Sequence, residues 1–351
     1  MDRVWREEDT TPARIDDALR AMLADLHRDD TDVVPARVLN LVCVVDAEYS
    51  GEIANRLRGV GRFHASRTIV CSIEEGREQI DAVATLSAPD LADSAGIQLM
   101  RELIVVSCGT KHLPRLDRLV EPLAIADLPV CVWSPHGHDD GLASLMATAD
   151  VVLFDSADET EVRDGIRKAM RLSQQAYLVD LAWLRTTPWR ERIAATFDPP
   201  PLRGQLEQFS RLEVRVHPES TGAALLLIGW LASRLRWQTA PMRRDGDRLS
   251  GIAKSADRDI ELAVVPDSAM PVRGLSGLTL ETAAGRCLSL GRGEGGMAAH
   301  YTSPEGADRR WTILGASRGE PGILGEGLRQ AMLRDRTFFP ALDAASTLLA
   351  V

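Results

Sequence analysis

The chain has 351 residues, 45% of them apolar and 26% charged, with a formal net charge of −10. At roughly 150 residues per domain this length predicts two domains, with core enough to fold without a disulfide or metal staple. The negative field argues against nonspecific nucleic-acid binding, and basic residues are interspersed with acidic ones, as in Asp257-Arg258-Asp259, rather than gathered into a patch.

The amino-terminal stretch Met1-Asp2-Arg3-Val4-Trp5-Arg6-Glu7 lacks the apolar core of a leader. The longest apolar run, 222–232, falls short of the roughly 18 residues that a membrane span needs. Cysteines stand singly at 43, 71, 108, 131 and 287, with no C-x-x-C pair, which fits a reducing compartment. The expectation is a cytoplasmic protein with no membrane contact.

In chain order, Ile15, Leu19, Met22, Leu23 and Leu26 recur at helical spacing, so the chain is expected to open with an amphipathic helix. The valine-rich run 38–45 is apolar at every position but Asn40, as expected of a strand covered on both faces. Similar runs follow at 68–73, 103–107, 130–133 and 151–154, separated by helical patterns at 113–126 and 142–149. Ser156-Ala157-Asp158-Glu159 has the form of a capping box, predicting a helix that carries Val162, Ile166, Ala169, Met170 and Tyr177. Alternating strands and helices predict a Rossmann-like α/β domain with a largely parallel sheet over 1–178.

The second half, 179–351, changes character. Leu212, Val214 and Val216 alternate with Glu213, Arg215 and His217, the pattern of a half-wet strand. A helix over 221–236 is apolar nearly all round. Short alternating runs separated by turns then predict an antiparallel sheet closed by helices from 322 onward, an α+β domain. Pro199-Pro200-Pro201 reads as a rigid connector.

Chemistry is sparse. A dinucleotide site needs a glycine-rich turn after the first strand, but the residues there are Asp46-Ala47-Glu48-Tyr49-Ser50-Gly51-Glu52, whose carboxylates repel a pyrophosphate. No P-loop pattern occurs. One G-x-G-x-x-G match, at 291–296, is followed by a strand-like run rather than the helix that phosphate binding requires, so a hairpin is expected. Pro135-His136-Gly137-His138-Asp139-Asp140 follows a strand end and carries metal-ligand types, against the reading of a solvated loop whose aspartate caps the next helix. Cys43, Cys71 and Cys131 fall inside apolar strands, as packing residues do. His64 stands alone before a strand. No catalytic, cofactor-binding or metal-binding residue is assigned.

The densest unusual stretch is Asp180-Leu181-Ala182-Trp183-Leu184-Arg185-Thr186-Thr187-Pro188-Trp189-Arg190-Glu191. Tryptophan and arginine are enriched in interface hot spots. Trp183, Arg185, Trp189 and Arg190 are therefore expected either to brace a domain junction or to meet a partner directly.

This segment also resembles the signature of the OpcA family. Further similarities follow the same order: 36–42, His64-Ala65-Ser66-Arg67-Thr68-Ile69-Val70 with Ala65 in place of the usual proline, Leu128-Pro129-Val130 before Trp133, Asp155-Ser156-Ala157, and Gly229-Trp230-Leu231-Ala232-Ser233-Arg234-Leu235 before Trp237. The resemblance runs to about Trp237 and thins beyond it. It implies a non-enzymatic partner, without cofactor, that binds glucose-6-phosphate dehydrogenase of the oxidative pentose phosphate pathway and promotes its active oligomer as an allosteric activator. Two other readings stay open. One is a Rossmann-like transferase binding a nucleotide or sugar phosphate near Ser107-Cys108-Gly109-Thr110. The other is a sensor that reports a sugar-phosphate effector to the dehydrogenase.

Overall fold

The computed structural model describes residues 3–29, 33–34, 37–60, 66–87, 98–99, 101–256, 258–314 and 319–350. His64, Ala65 and Asp257 of the motifs above lie outside them. The chain divides into two compact units. One comprises Met1–Phe154, Gln175–Val179 and Leu324–Leu333; the other comprises Asp155–Gln174, Asp180–Ile323 and Arg334–Val351.

In the first unit an eight-stranded sheet runs Arg3–Glu7, Asp81–Ser87, Arg101–Gly109, Ser66–Glu74, Leu39–Asp46, Val130–Trp133, Val151–Phe154, Tyr177–Asp180. Numbered by chain position, the last six read 3-2-1-4-5-6, the strand order of the doubly wound dinucleotide-binding sheet. The first five of those six pair in parallel. Leu39 through Val45 is buried at every position, which is why its sequence is apolar at all positions but Asn40 rather than alternating. Asn40 is fully buried among these apolar residues. Its Nδ2 donates to the carbonyls of Ile125 (3.0 Å) and Leu128 (3.2 Å), and its Oδ1 accepts from Ile125 N–H.

Three expectations change in this unit. A strand, Arg3–Glu7, precedes the first helix, Pro12–Asp29, and pairs antiparallel with Asp81–Ser87. Five mixed residues gave no periodicity to see. The helix expected over 113–126 is instead a chain of short turns, Thr110–Arg115, Asp117–Val120 and Glu121–Leu123, because Pro114 and Pro122 deny it continuous hydrogen bonding. The helix expected over 142–149 lies at Asp139–Leu145.

In the second unit another eight-stranded sheet runs Arg243–Asp245, Arg248–Ser255, Arg258–Pro266, Phe209–Val216, Leu275–Thr282, Cys287–Gly293, Gly296–Thr302, Asp308–Leu314. It is antiparallel except where Phe209–Val216 lies parallel to Arg258–Pro266. One face carries Leu212, Val214, Leu262, Val264, Leu278, Leu280, Leu288 and Leu290, all buried. On the other face, Arg211 stands between Glu261 and Glu281 in the strand register.

The helix Thr221–Leu235 buries ten of its residues and ends at Arg236, whose φ of 57° is left-handed. It packs on Phe338–Leu349. Gly229 makes that approach close: a Cβ there would stand 2.2 Å from the carbonyl oxygen of Ala341. The capping box expected at 156–159 does not form. The helix begins at Val162 behind Glu161 and ends at Ser173, so Tyr177 belongs to a strand. Glu159 receives Lys168 Nζ at 2.7 Å instead. The proline triplet opens a short helix, Pro200–Arg203, since proline suits a first turn.

Candidate functional site

In a sheet of order 3-2-1-4-5-6, ligands bind outside the carboxyl ends of strands 1 and 4, where the winding reverses. Those ends here are Asp46 and Trp133. No glycine turn follows Asp46; a 3-10 turn, Ala47–Tyr49, leads into the helix Ser50–Val60. The residues after Trp133 fold back onto it. Asp46 N–H donates to His136 Nδ1 at 3.0 Å, which places that ring's proton on Nε2. His138 Nε2 lies 2.9 Å from Asp46 Oδ1, and the His136 ring stands 4.7 Å from Tyr49. His138 is also the residue before the helix Asp139–Leu145, whose first turn holds Asp139 and Asp140. The crevice thus presents imidazoles and carboxylates where a pyrophosphate needs free N–H groups. Among the described residues, no three His, Cys, Asp or Glu side chains are grouped to hold a metal ion.

The G-x-G-x-x-G match is a hairpin, with strands Cys287–Gly293 and Gly296–Thr302 on either side and Gly295 at φ +73°. No helix follows the glycines. In the second unit a cleft of about 350 Å³ is lined by the loop from Ser156 to Val162 and by Glu219, Gly222, Arg244 and Arg273. Arg273 bridges Asp158 (2.7 Å) and Glu219 (3.0 Å) there, so its charge is already neutralised.

The tryptophan–arginine segment forms two helices, Leu181–Arg185 and Thr187–Phe197. Asp180 caps the first by accepting from Ala182 N–H at 2.9 Å. Trp183 is 2% exposed and Trp189 4%. Trp183 Nε1 donates to Asp335 Oδ2 at 3.1 Å, and its ring stands 5.6 Å from Phe338. Arg190 lies over that indole, and donates to Thr186 Oγ1 (2.9 Å) and Thr187 Oγ1 (3.0 Å). Arg185 grips Asp155 with two parallel bonds of 2.9 and 2.7 Å. Trp183 and Arg190 thus share one cluster around Asp335, Arg185 forms a separate pair with Asp155, and Trp189 is buried in the second helix.

Burial dominates the electrostatics around this segment. It pushes the Asp180 carboxyl up to about 7, with the Asp155 charge adding to the effect, against hydrogen bonds from Ser156 and Ala182. Burial also pulls Arg190 down to about 10, opposed by Asp335 and Glu191. For Asp335, burial disfavours the charge, but hydrogen bonds from Thr337 and the nearby Arg190 hold the carboxyl below its usual range. In the sequence Asp155 stands out only as part of the motif Asp155-Ser156-Ala157, without its partner, and Asp335 goes unnoticed. They stand 30 and 152 residues from Arg185 and Trp183, and nothing local marks either as a partner.

A second buried network lies in the first unit. Arg67 donates to Glu102 Oε2 (2.7 Å) and to the carbonyl of Leu123 (2.8 Å), and Arg37 pairs with the same carboxylate. This gives Arg67, part of the motif 64–70, a structural task between adjacent parallel strands.

Comparison with known proteins matches residues 58–171 to a family described as glucose-6-phosphate dehydrogenase subunit N-terminal domain, and 176–342 to the corresponding C-terminal domain. The OxPP cycle protein OpcA of Nostoc punctiforme is 28% identical over 54% of this chain and 43% of its own length. That of Synechocystis is 26% identical over 63% of this chain and 46% of its own. The chain spans less than half the length of the curated relatives it matches. Among solved structures, the super-repressor mutant of Gal80p from Saccharomyces cerevisiae aligns over 90% of this chain and 95% of its own at 9% identity, with a TM-score of 0.49.

Proposed function

Because the chain belongs to the OpcA family of glucose-6-phosphate dehydrogenase subunits, we propose that it is a non-catalytic subunit that binds the dehydrogenase and favours its active, assembled form. The observation that carries this reading is the pair of family matches, N-terminal domain then C-terminal domain, in order along the chain. The first unit supports it independently. A sheet with dinucleotide-binding strand order has Asp46, His136 and His138 gathered where the cofactor's phosphates would lie.

The mechanism is linkage: a protein that binds the active form better than the inactive one shifts the population by that difference in affinity. A preference of about 1–3 kcal/mol changes the balance roughly 5- to 150-fold. The buried Trp183–Arg190–Asp335 and Arg185–Asp155 contacts act in this reading as internal braces that hold the partner-facing surface in shape. Trp189 joins them as packing.

The test is a titration of the chain into the dehydrogenase of the same cell, recording rate at subsaturating substrate together with the mass of the complex. A saturable rise in rate with a heavier complex is expected, and no rise with no complex refutes the reading. Repeating it with glucose 6-phosphate in the binding arm shows whether a sugar phosphate strengthens association.

A further inference from the structure

The two edges of the second sheet are treated differently by the sequence. A sheet edge presents unpaired backbone N–H and C=O groups, and soluble proteins blunt it with short strands, charges, prolines or bulges. Arg243–Asp245 follows that rule, with three residues that are all charged and all exposed. Asp308–Leu314 follows it only at its start, where Asp308, Arg309 and Arg310 are charged and exposed. It is seven residues long, pairs with Gly296–Thr302 in unbroken register, and carries no proline. Among the described residues it is the last strand of its sheet.

Its composition suits further pairing. Trp311, Thr312 and Ile313 are strong strand formers. Trp311 and Ile313 stand opposite Ala299 and Met297, which are buried, so they continue the core face while staying half-exposed. Asp308, Arg310, Thr312 and Leu314 occupy the other face, and Leu314 is 79% exposed.

The charge at this edge runs against that of the chain. Arg309 and Arg310 follow one another on opposite faces of the strand in a protein of net charge −10. The strand's single carboxylate, Asp308, lies 2.8 Å from His300 Nε2 and 3.7 Å from Arg310 Nε, so it offsets one of the two arginines and leaves the strand with an excess of one positive charge. A second copy would bring the same two arginines together with another excess of negative charge. An acidic strand would bring neither.

We propose that Asp308–Leu314 is a docking edge to which a partner protein adds an extended, acidic strand. The backbone ladder supplies affinity, carboxylates face Arg309 and Arg310, and an apolar side chain covers Trp311 and Ile313. This rests on the reading of the chain as a dehydrogenase subunit, since that enzyme is the partner to be tested.

Hydrogen exchange of the full chain, alone and with the purified dehydrogenase, reads the edge directly. Binding titrations of the parent, R310E/L314E and R310K accompany it, with thermal melts to check that the exposed substitutions leave the fold intact. The expected result is new amide protection within 308–314 in the complex, with R310E/L314E bound at least tenfold more weakly and R310K close to the parent. A complex that forms with no protection at 308–314 and unchanged variant affinity overturns the docking edge while leaving the subunit reading intact. Concentration-dependent protection of those amides in the chain alone assigns the edge to a second copy and overturns the acidic-strand proposal. Absence of any complex removes the subunit reading and this inference with it.

Discussion

Arg190 lies over the indole of Trp183, its guanidinium carbon 3.5 Å from the ring centroid, and both side chains reach the same oxygen, Oδ2 of Asp335. Cation–π attraction between partly desolvated groups is worth about 0.5–2 kcal/mol. Trp183→Phe keeps most of the bulk but leaves the Asp335 oxygen without its indole donor, at a cost of about 1–3 kcal/mol. A double-mutant cycle with Arg190→Met, measured by urea unfolding, should give a coupling of about 0.5–2 kcal/mol. Strict additivity would mean that the stacked pair contributes nothing of its own.

Arg185 and Asp155 form a bidentate pair in which both side chains are more than nine-tenths buried. Removing one partner strands a buried charge, so Arg185→Met should destabilise by about 3–5 kcal/mol. Adding Asp155→Asn to that variant should restore part of the loss, because the stranded charge is gone. Chemical denaturation of the three variants measures this, and a double variant that is worse by the simple sum contradicts it.

Asp180 gives a pH signature. Its folded carboxyl titrates at about 7, against about 3.9 for an unfolded aspartate, so the native state holds this proton more tightly. The associated stability is complete below the unfolded value and is lost as pH rises through the folded one. The urea midpoint of the parent should therefore fall between pH 5 and 7.5. Asp180→Asn, which keeps an accepting oxygen for Ala182, should show a smaller fall. Equal slopes in both proteins would exclude Asp180 as the responsible group.

The cysteines differ in exposure. Cys43, Cys71, Cys108 and Cys131 are buried, and burial raises their thiols, that of Cys108 to about 11. Cys287 is half-exposed and is raised by burial and by Glu281. The thiolate is the reactive form. Native protein at pH 8 should therefore be alkylated slowly and at Cys287 alone, with the other four reacting only in denaturant. Peptide mapping by mass spectrometry checks the assignment.

The parallel strands were legible because burial on both faces forces long apolar runs such as Leu39–Val45. Their spatial order was not, since nothing in a run of valines says which neighbour it takes. The tryptophan–arginine segment stood out by composition. Its carboxylate partners were invisible, because Asp335 meets Trp183 across 152 residues and only folding brings them together. The false capping box at Ser156 shows the opposite failure: a correct local pattern was overridden when Glu159 found Lys168 and the helix began five residues later, behind Glu161.

The three-residue strand Arg243–Asp245 has a consequence for how large an assembly built on this sheet can grow. Head-to-tail addition of strands produces fibres only when each added unit offers a fresh end to the next. Here the far end is a terminator. Anything captured at Asp308–Leu314 gains no relay through the sheet to the opposite side, so strand pairing through this unit stops at a finite complex rather than a polymer.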